Sequence, residues 1–240
     1  LIKMDNNMNV TALILAGGLG KRIRSVESEK PKVMIEINNK PFVHYIIDEL
    51  IKDGIASIII LCGHKYEYII NYFSKVNIPD TNIIFSIEGK LMGTAGALLN
   101  VKKIVKYSSI LLLNGDTYTR LDYERFYKNY GKSDAKAGIC IKNIESDGNV
   151  DPNYAGIDID SNNRIISYNE KSNGKYASCG IYLFDYEVFK YLTNAPSSIE
   201  FDLIPRLLKN EGPIYGYKIE DLYYDIGTPE GLKNFKNYIK

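Results

Sequence analysis

At 240 residues the chain is long enough for one large domain or two small ones, and a single α/β domain is the default at this size. Its composition, 45% hydrophobic and 25% charged, is that of a globular protein able to bury a core. With 30 basic and 29 acidic residues the formal net charge is +1, which excludes a whole-molecule field that draws in nucleic acid or anionic lipid; any anion site must be local.

In chain order, residues 1–9 carry no apolar stretch, so no signal peptide is expected, and this segment reads as flexible. Val10–Ala16 is an apolar run ended by glycines, the pattern of a buried strand. Pro41 opens a helix after an Asn38-Asn39 turn and Asp53-Gly54 closes it. Strand Ser57–Cys62, helix 65–75, strand Asn82–Ile87, helix 94–105 and strand Ser109–Asn114 follow. Repeated β-α-β units imply a single Rossmann-like α/β domain with a mostly parallel, mixed sheet covered by helices on both faces. Fully apolar strands such as Ile58-Ile59-Ile60-Leu61 suit burial on both sides. Beyond about Gly131 strand-like segments crowd together at 137–144, 156–159, 164–168 and 177–184, with helices at 186–192, 201–209 and 229–239. No Pro/Gly/Ser linker divides the halves, and no internal repeat follows. The longest apolar runs, near 58–62 and 110–113, are too short to cross a bilayer, so a soluble protein is expected.

Cys62, Cys140 and Cys179 are odd in number and far apart, which argues against a disulfide framework or a zinc cluster and fits a reducing, cytoplasmic compartment. His44 and His64 are the only histidines and read as structural.

Leu15-Ala16-Gly17-Gly18-Leu19-Gly20-Lys21-Arg22 follows the first strand directly. Three glycines in four positions let backbone N–H groups crowd an anion without Cβ interference, and Lys21 and Arg22 add charge. A Walker loop is excluded because Leu15 stands where its first glycine belongs and Arg22 follows Lys21. The dinucleotide fingerprint lacks its third glycine, Ile23 standing there, which disfavours a nicotinamide oxidoreductase.

This loop, followed by Lys30-Pro31-Lys32-Val33-Met34, Lys40-Pro41-Phe42 and the distant Tyr224-Asp225-Ile226-Gly227-Thr228-Pro229-Glu230, resembles the sugar-phosphate nucleotidylyltransferases in order and spacing. The likeness extends over nearly the whole chain and is nearest to the heptose and mannose 1-phosphate guanylyltransferases. It implies that about 10–130 is the nucleotide-binding half and about 131–240 the sugar-binding half. It also implies that the backbone of Leu15, Ala16, Gly17, Gly18 and Gly20, with Lys21, holds the nucleotide, while Arg22 and Lys32 face the phosphates. Two departures stand out: Val33 replaces a second proline, and Ser25-Val26-Glu27 replaces a Pro/Thr-containing segment.

Glu88 to Ala97 lies at the carboxyl end of a predicted strand and leads into a helix, where open α/β sheets bind ligands. The resemblance puts the base near Glu88, Gly93 and Thr94. A carboxylate only accepts hydrogen bonds, and guanine offers adjacent N1–H and N2–H donors, so GTP is favoured. Thr94 is also a candidate helix N-cap. Asp116, in Asn114-Gly115-Asp116 at a strand end, is well placed for magnesium, and the resemblance makes Asp225 its partner carboxylate. Arg22, Lys32 and Asp116 are then the candidate catalytic residues. Asn169-Glu170-Lys171 resembles the family's sugar-phosphate motif, with Glu170 on sugar hydroxyls and Lys171 on the phosphate; Gly156 and Cys179-Gly180 belong to the same implied pocket.

The expected reaction is magnesium-dependent, in-line attack by a sugar 1-phosphate on the α-phosphorus of a triphosphate. The nucleophile is already ionised near neutral pH, so no general base is needed. The expected partners are a nucleoside triphosphate and a sugar 1-phosphate, with no nucleic acid and no membrane; a homodimer is left open. Thymidylyl-, uridylyl- and cytidylyltransferases share the scaffold, and a non-catalytic nucleotide-sugar-binding subunit is the competitor from another class. The latter is disfavoured because Lys32, Asp116 and Asp225 are all present.

Overall fold

The computed structural model describes residues 8–18, 20, 29–144, 155–169, 174–210, 212–220 and 222–240. Four strands form the first half of the main sheet: β1 (Val10–Ala16), β4 (Ser57–Cys62), β5 (Asn82–Ile87) and β6 (Ser109–Asn114). Their bounds coincide with those expected from the sequence. A two-stranded ladder, β2 (Glu36–Ile37) with β3 (Lys40–Pro41), precedes α1 (Phe42–Lys52), and α2 spans Tyr66–Phe73. Pro41, with φ −64°, is the residue just outside α1 and not its first turn.

The second half adds β8 (Ala137–Asn143), β9 (Ala155–Ile159), β10 (Ile165–Tyr168), β11 (Tyr176–Asp185) and β12 (Ile214–Lys218). The path β10-β9-β11-β6-β1-β4-β5 forms the sheet, and β8 joins β11 to β12. β1, β4, β5 and β6 run parallel. β11 runs against β6, β8 and β9, β10 runs against β9, and β12 is parallel to β8. Only β10 and β11 therefore oppose the common direction, and the sheet is mixed but mostly parallel.

Alternation along the strands divides the core in two. Ala12, Ile14, Ile58, Ile60, Leu111 and Leu113 face one layer, packed by Ile47 and Leu50 of α1, Phe126 and Phe235. Leu13, Ile59, Leu61, Ile110 and Leu112 face the other, packed by Leu98, Phe189 and Leu207. Period-two side chains on a sheet buried on both faces require covers on both, and the helices supply them.

Three expected helices differ in kind. Segment 94–105 is one α turn, α3 (Gly93–Gly96), continuing as a 3₁₀ helix, Ala97–Val101; glycines at both ends of α3 weaken α propagation. Segment 186–192 is a 3₁₀ helix, Tyr186–Tyr191. Segment 201–209 begins as a π turn, Ile199–Leu203, and becomes α5 (Ile204–Asn210); Pro205 lacks the N–H that would close an ordinary α turn onto Phe201. α4 (Tyr123–Lys132) was not anticipated, although Asp122 caps it by accepting from the Arg125 amide at 2.8 Å and Tyr123, Phe126 and Tyr130 form its buried stripe. Two short strands, β7 (Thr117–Thr119) and β13 (Tyr223–Asp225), pair antiparallel ahead of α6 (Pro229–Tyr238). Three residues are too few to carry a period. Among the described residues, no helix is long and apolar enough to cross a membrane.

Candidate functional site

The parallel strands end together, and their carboxyl-end loops form a cleft of about 360 Å³. Register places Leu15 beside both Leu61 and Asn114. Backbone packing then fixes the glycine loop. A Cβ on Gly63 would stand 2.8 Å from the Cα of Gly17, and one on Gly115 would stand 2.3 Å from the Leu15 carbonyl oxygen. The Gly115 amide donates to that same oxygen at 3.0 Å. At Gly18, by contrast, a Cβ would meet nothing within 4 Å, because this glycine borders open cleft.

Leu15, Ala16, Gly17, Gly18 and Gly20 line one side of the cleft, and Glu88, Gly93 and Thr94 line the other. Gly93 has φ +73°, and a Cβ there would overlap the Ser197 carbonyl oxygen at 2.4 Å. The Ser197 amide donates to Met92 at 2.9 Å and the Ala95 amide to Ser197 at 3.0 Å, stapling this loop to the segment before α5. Burial pushes the Glu88 carboxyl above the usual range, and the Met92 amide, bonded to it, offsets part of that rise. Thr94 is not the helix cap; Met92 occupies that position without a side-chain bond. The Thr94 hydroxyl instead accepts from the Ile199 amide at 2.9 Å and donates to Glu200 at 3.3 Å.

Lys32 and Asp116 close the end of the cleft. Lys32 opens a 3₁₀ turn, Lys32–Met34, that follows Pro31, and its ammonium group is paired with the Asp116 carboxylate 84 residues away. The two side chains are only 15% and 22% exposed, so water screens their attraction weakly.

Asp116 also borders a second cavity of about 250 Å³, and Asn114 is the other wall the two share. Gly156, Gly180 and Asp225 line this second cavity. Gly180, with φ +67°, makes room for Asn114: a Cβ would lie 2.4 Å from the Asn114 amide nitrogen. Pairing of β7 with β13 sets Asp225 opposite Thr117, and the Ile226 amide donates to the Asp116 carbonyl at 3.0 Å. The Gly227 amide donates to the Asp225 carboxylate at 2.6 Å. Thr228 caps α6 by accepting from the Gly231 amide at 3.0 Å, and a Cβ on Gly231 would stand 1.9 Å from the Asp225 carbonyl oxygen. The Asp-Ile-Gly-Thr-Pro-Glu-Gly run thus anchors one carboxylate.

Lys32, Asp116 and Asp225 therefore converge. Lys21, Arg22, Glu170 and Lys171 lie outside the described residues, as do Leu19 and Ser25-Val26-Glu27. Asn169, next to Glu170, lines the second cavity, its amide bonded to the Gly156 carbonyl at 2.8 Å. Sequence reading missed Asn114 as a wall of both cavities, although it stands inside a recognised strand-end motif. It also missed Tyr182, Glu200 and Phe201, which line the second cavity and belong to no motif.

Of the three carboxylates that line the second cavity among the described residues, Asp116 and Asp225 suit magnesium, which takes one or two from protein and leaves the rest of its shell to phosphate and water. Among the described residues no group of three or more His, Cys, Asp or Glu side chains is arranged to hold a metal. The three cysteines are buried and form no disulfide; burial pushes the Cys62 thiol up to about 12 and the Cys140 thiol well above its usual value, so neither is a thiolate nucleophile. His44 is structural, bonded to the Tyr72 hydroxyl at 2.6 Å, and burial lowers its pKa.

Residues 11–240 match the nucleotidyl transferase family model. A D-glycero-alpha-D-manno-heptose 1-phosphate guanylyltransferase of Campylobacter jejuni is 34% identical, covering 93% of this chain and 97% of that one. An enzyme of the same description from Aneurinibacillus thermoaerophilus is 31% identical over 95% and 99%. The crystal structure of HddC from Yersinia pseudotuberculosis complexed with GMP-PN superposes with a TM-score of 0.82 at 29% identity, covering 97% of this chain and 100% of that one. With the glycine loop, the paired Lys32 and Asp116 and the neighbouring Asp225 in one place, the chain belongs to the nucleotidyl transferase family and is a sugar-phosphate nucleotidyltransferase.

Proposed function

We propose that the protein transfers a guanylyl group from GTP to a sugar 1-phosphate of the manno series, D-glycero-D-manno-heptose 1-phosphate or mannose 1-phosphate, releasing pyrophosphate. The product is a nucleotide sugar suited to surface polysaccharide synthesis in the cytoplasm. The observation that carries this reading is the shared wall: Asp116, held by Lys32, borders both cavities, so two anionic ligands can meet across it. The descriptions of the heptose 1-phosphate relatives support the choice of base and sugar, and the half-buried Glu88 supplies an acceptor for guanine donors.

An oxygen of the sugar phosphate attacks the α-phosphorus; the bond from that phosphorus to the bridging oxygen breaks, and pyrophosphate leaves with the electron pair. The acceptor phosphate is ionised at neutral pH, and no side chain need take a proton. The glycine loop holds the nucleotide by backbone amides, and Lys32 neutralises charge moving onto pyrophosphate. By the family likeness Arg22 shares that work, Glu170 holds the sugar and Lys171 its phosphate. Asp116 and Asp225 would hold magnesium, which when bound supplies charge neutralisation and alignment of the phosphates.

The test is pyrophosphate release across a panel of triphosphates crossed with sugar 1-phosphates, magnesium present. GTP with a manno-configured acceptor is expected to lead. Release with no combination contradicts the reading and favours a non-catalytic binding role, whereas preference for UTP, dTTP or CTP overturns the assignment of the base.

A further inference from the structure

The second cavity contains a carboxylate that no motif assigned. Glu200 sits on the π turn Ile199–Leu203 and is held by three hydroxyls: Tyr182 donates to its Oε1 at 3.0 Å, and Ser198 and Thr94 donate to its Oε2 at 2.9 and 3.3 Å. Ser198 in turn caps the turn, accepting from the Glu200 and Phe201 amides at 3.1 and 3.2 Å. Ser178, also in the cavity wall, donates to the Tyr182 hydroxyl at 3.2 Å. A carboxylate offers about four acceptor sites, so these bonds occupy all but one, and the one left is on Oε1. An oriented carboxylate with a single free acceptor site, lining a cavity beside Asp116 and Asp225, is matched to a ligand hydroxyl. The neighbouring Phe201, 62% exposed, adds an apolar face of the kind that packs against the C–H edge of a sugar ring.

We propose that Glu200 is a sugar-specificity residue, accepting a hydrogen bond from one hydroxyl of the sugar 1-phosphate, with Thr94 as a positioning residue that reaches it from the nucleotide cleft. This rests on the transferase reading above. Thr94 lines the nucleotide cleft and Glu200 the second cavity, so their bond ties the two walls together. The side chain of Thr94 thereby acts on the acceptor and not on the base.

Glu200→Gln keeps the shape and removes the charge. With GTP and mannose or heptose 1-phosphate, whichever pair the substrate panel selects, the KM for the sugar phosphate is expected to rise roughly 10- to 100-fold, the range for losing a charged hydrogen bond. The KM for the triphosphate should change less than about threefold, within the scatter of a residue that does not touch it. Monodeoxy sugar 1-phosphates locate the contact: one deoxy position should cost the wild type about tenfold or more in kcat/KM and Glu200→Gln far less, the signature of coupling. Thr94→Val should shift the same KM in the same direction by a smaller factor. Should Glu200→Gln fail to fold, Glu200→Asp serves, expected to lose on the sugar side alone. Unchanged sugar KM, equal losses for both substrates, or no deoxy position with coupling overturns the proposal. A wild type that uses no sugar 1-phosphate defeats the parent reading as well, and is told apart because the unmutated enzyme fails.

Discussion

The two adjoining cavities are built by different means. The first cleft, proposed for the nucleotide, is made largely of backbone: glycines at 17, 63 and 115 pack main chain on main chain, and the glycine loop lines one side of it. The second cavity is made largely of side chains brought together from β6, β7, β9, β10, β11, β13 and the turn before α5, which share no local sequence. A site made by close backbone approach leaves a compact glycine signature, whereas a site made by convergence of strands leaves only scattered polar residues. The first kind tolerates little change at its glycines; the second is free to change its ligand by side-chain exchange.

Substitutions in each cavity sharpen that contrast. The largest effect belongs to the shared wall. Lys32→Ala is expected to lower turnover at least ~100-fold, as for loss of a preorganised electrostatic group, and near-normal rates would show the lysine to be misassigned. Asp225→Asn should raise the magnesium concentration needed for half-maximal rate by about 10-fold or more, the scale of weakening a metal site, read from rates against magnesium at fixed triphosphate. Glu88→Gln should raise the KM for GTP about 10-fold and narrow the preference over other bases, while leaving the KM for the sugar phosphate alone.

The same carboxyl sets a pH dependence. Burial raises the Glu88 pKa, so acidification protonates it sooner than an ordinary carboxylate, and the KM for GTP should climb as pH falls through that raised value. Its contribution to folding has the opposite sign, present in full below the unfolded pKa and lost as pH rises through the folded one. Glu88→Gln should flatten the KM profile. The smallest effect on stability is expected at Gly18→Ala: a Cβ there meets nothing, so the melting temperature should hold, yet the methyl group enters the cleft and the KM for GTP should rise. Gly115→Ala, forced against the Leu15 carbonyl, should cost about 1–3 kcal/mol, the range for overpacking, measured by denaturant unfolding.

Legibility follows the same division. The strands Val10–Ala16, Ser57–Cys62 and Ser109–Asn114 were readable to the residue because both faces are buried around an apolar run, whereas the edge strand Asn82–Ile87, only partly buried, was readable from its Ile-Ile-Phe centre. Helix kinds were not: the segment expected as a plain α helix opens with a π turn, closed by the Leu203 amide on the Ser198 carbonyl, that presents Glu200 and Phe201. Asp225 was found through the family resemblance of its Tyr-Asp-Ile-Gly-Thr-Pro-Glu run, while Glu200 was invisible because Thr94, Tyr182 and Ser198 reach it only after folding. Thr94 itself, expected at the nucleotide, spends its hydroxyl on the far wall.

In the proposed reaction the guanylyl group passes directly across the wall formed by Asp116, with no protein nucleophile between donor and acceptor. The stereochemical course at phosphorus tests it most directly, using GTP made chiral at the α-phosphorus by a single sulfur-for-oxygen exchange. A single in-line displacement predicts a nucleotide sugar of inverted configuration; retention would require a covalent intermediate and contradict direct transfer.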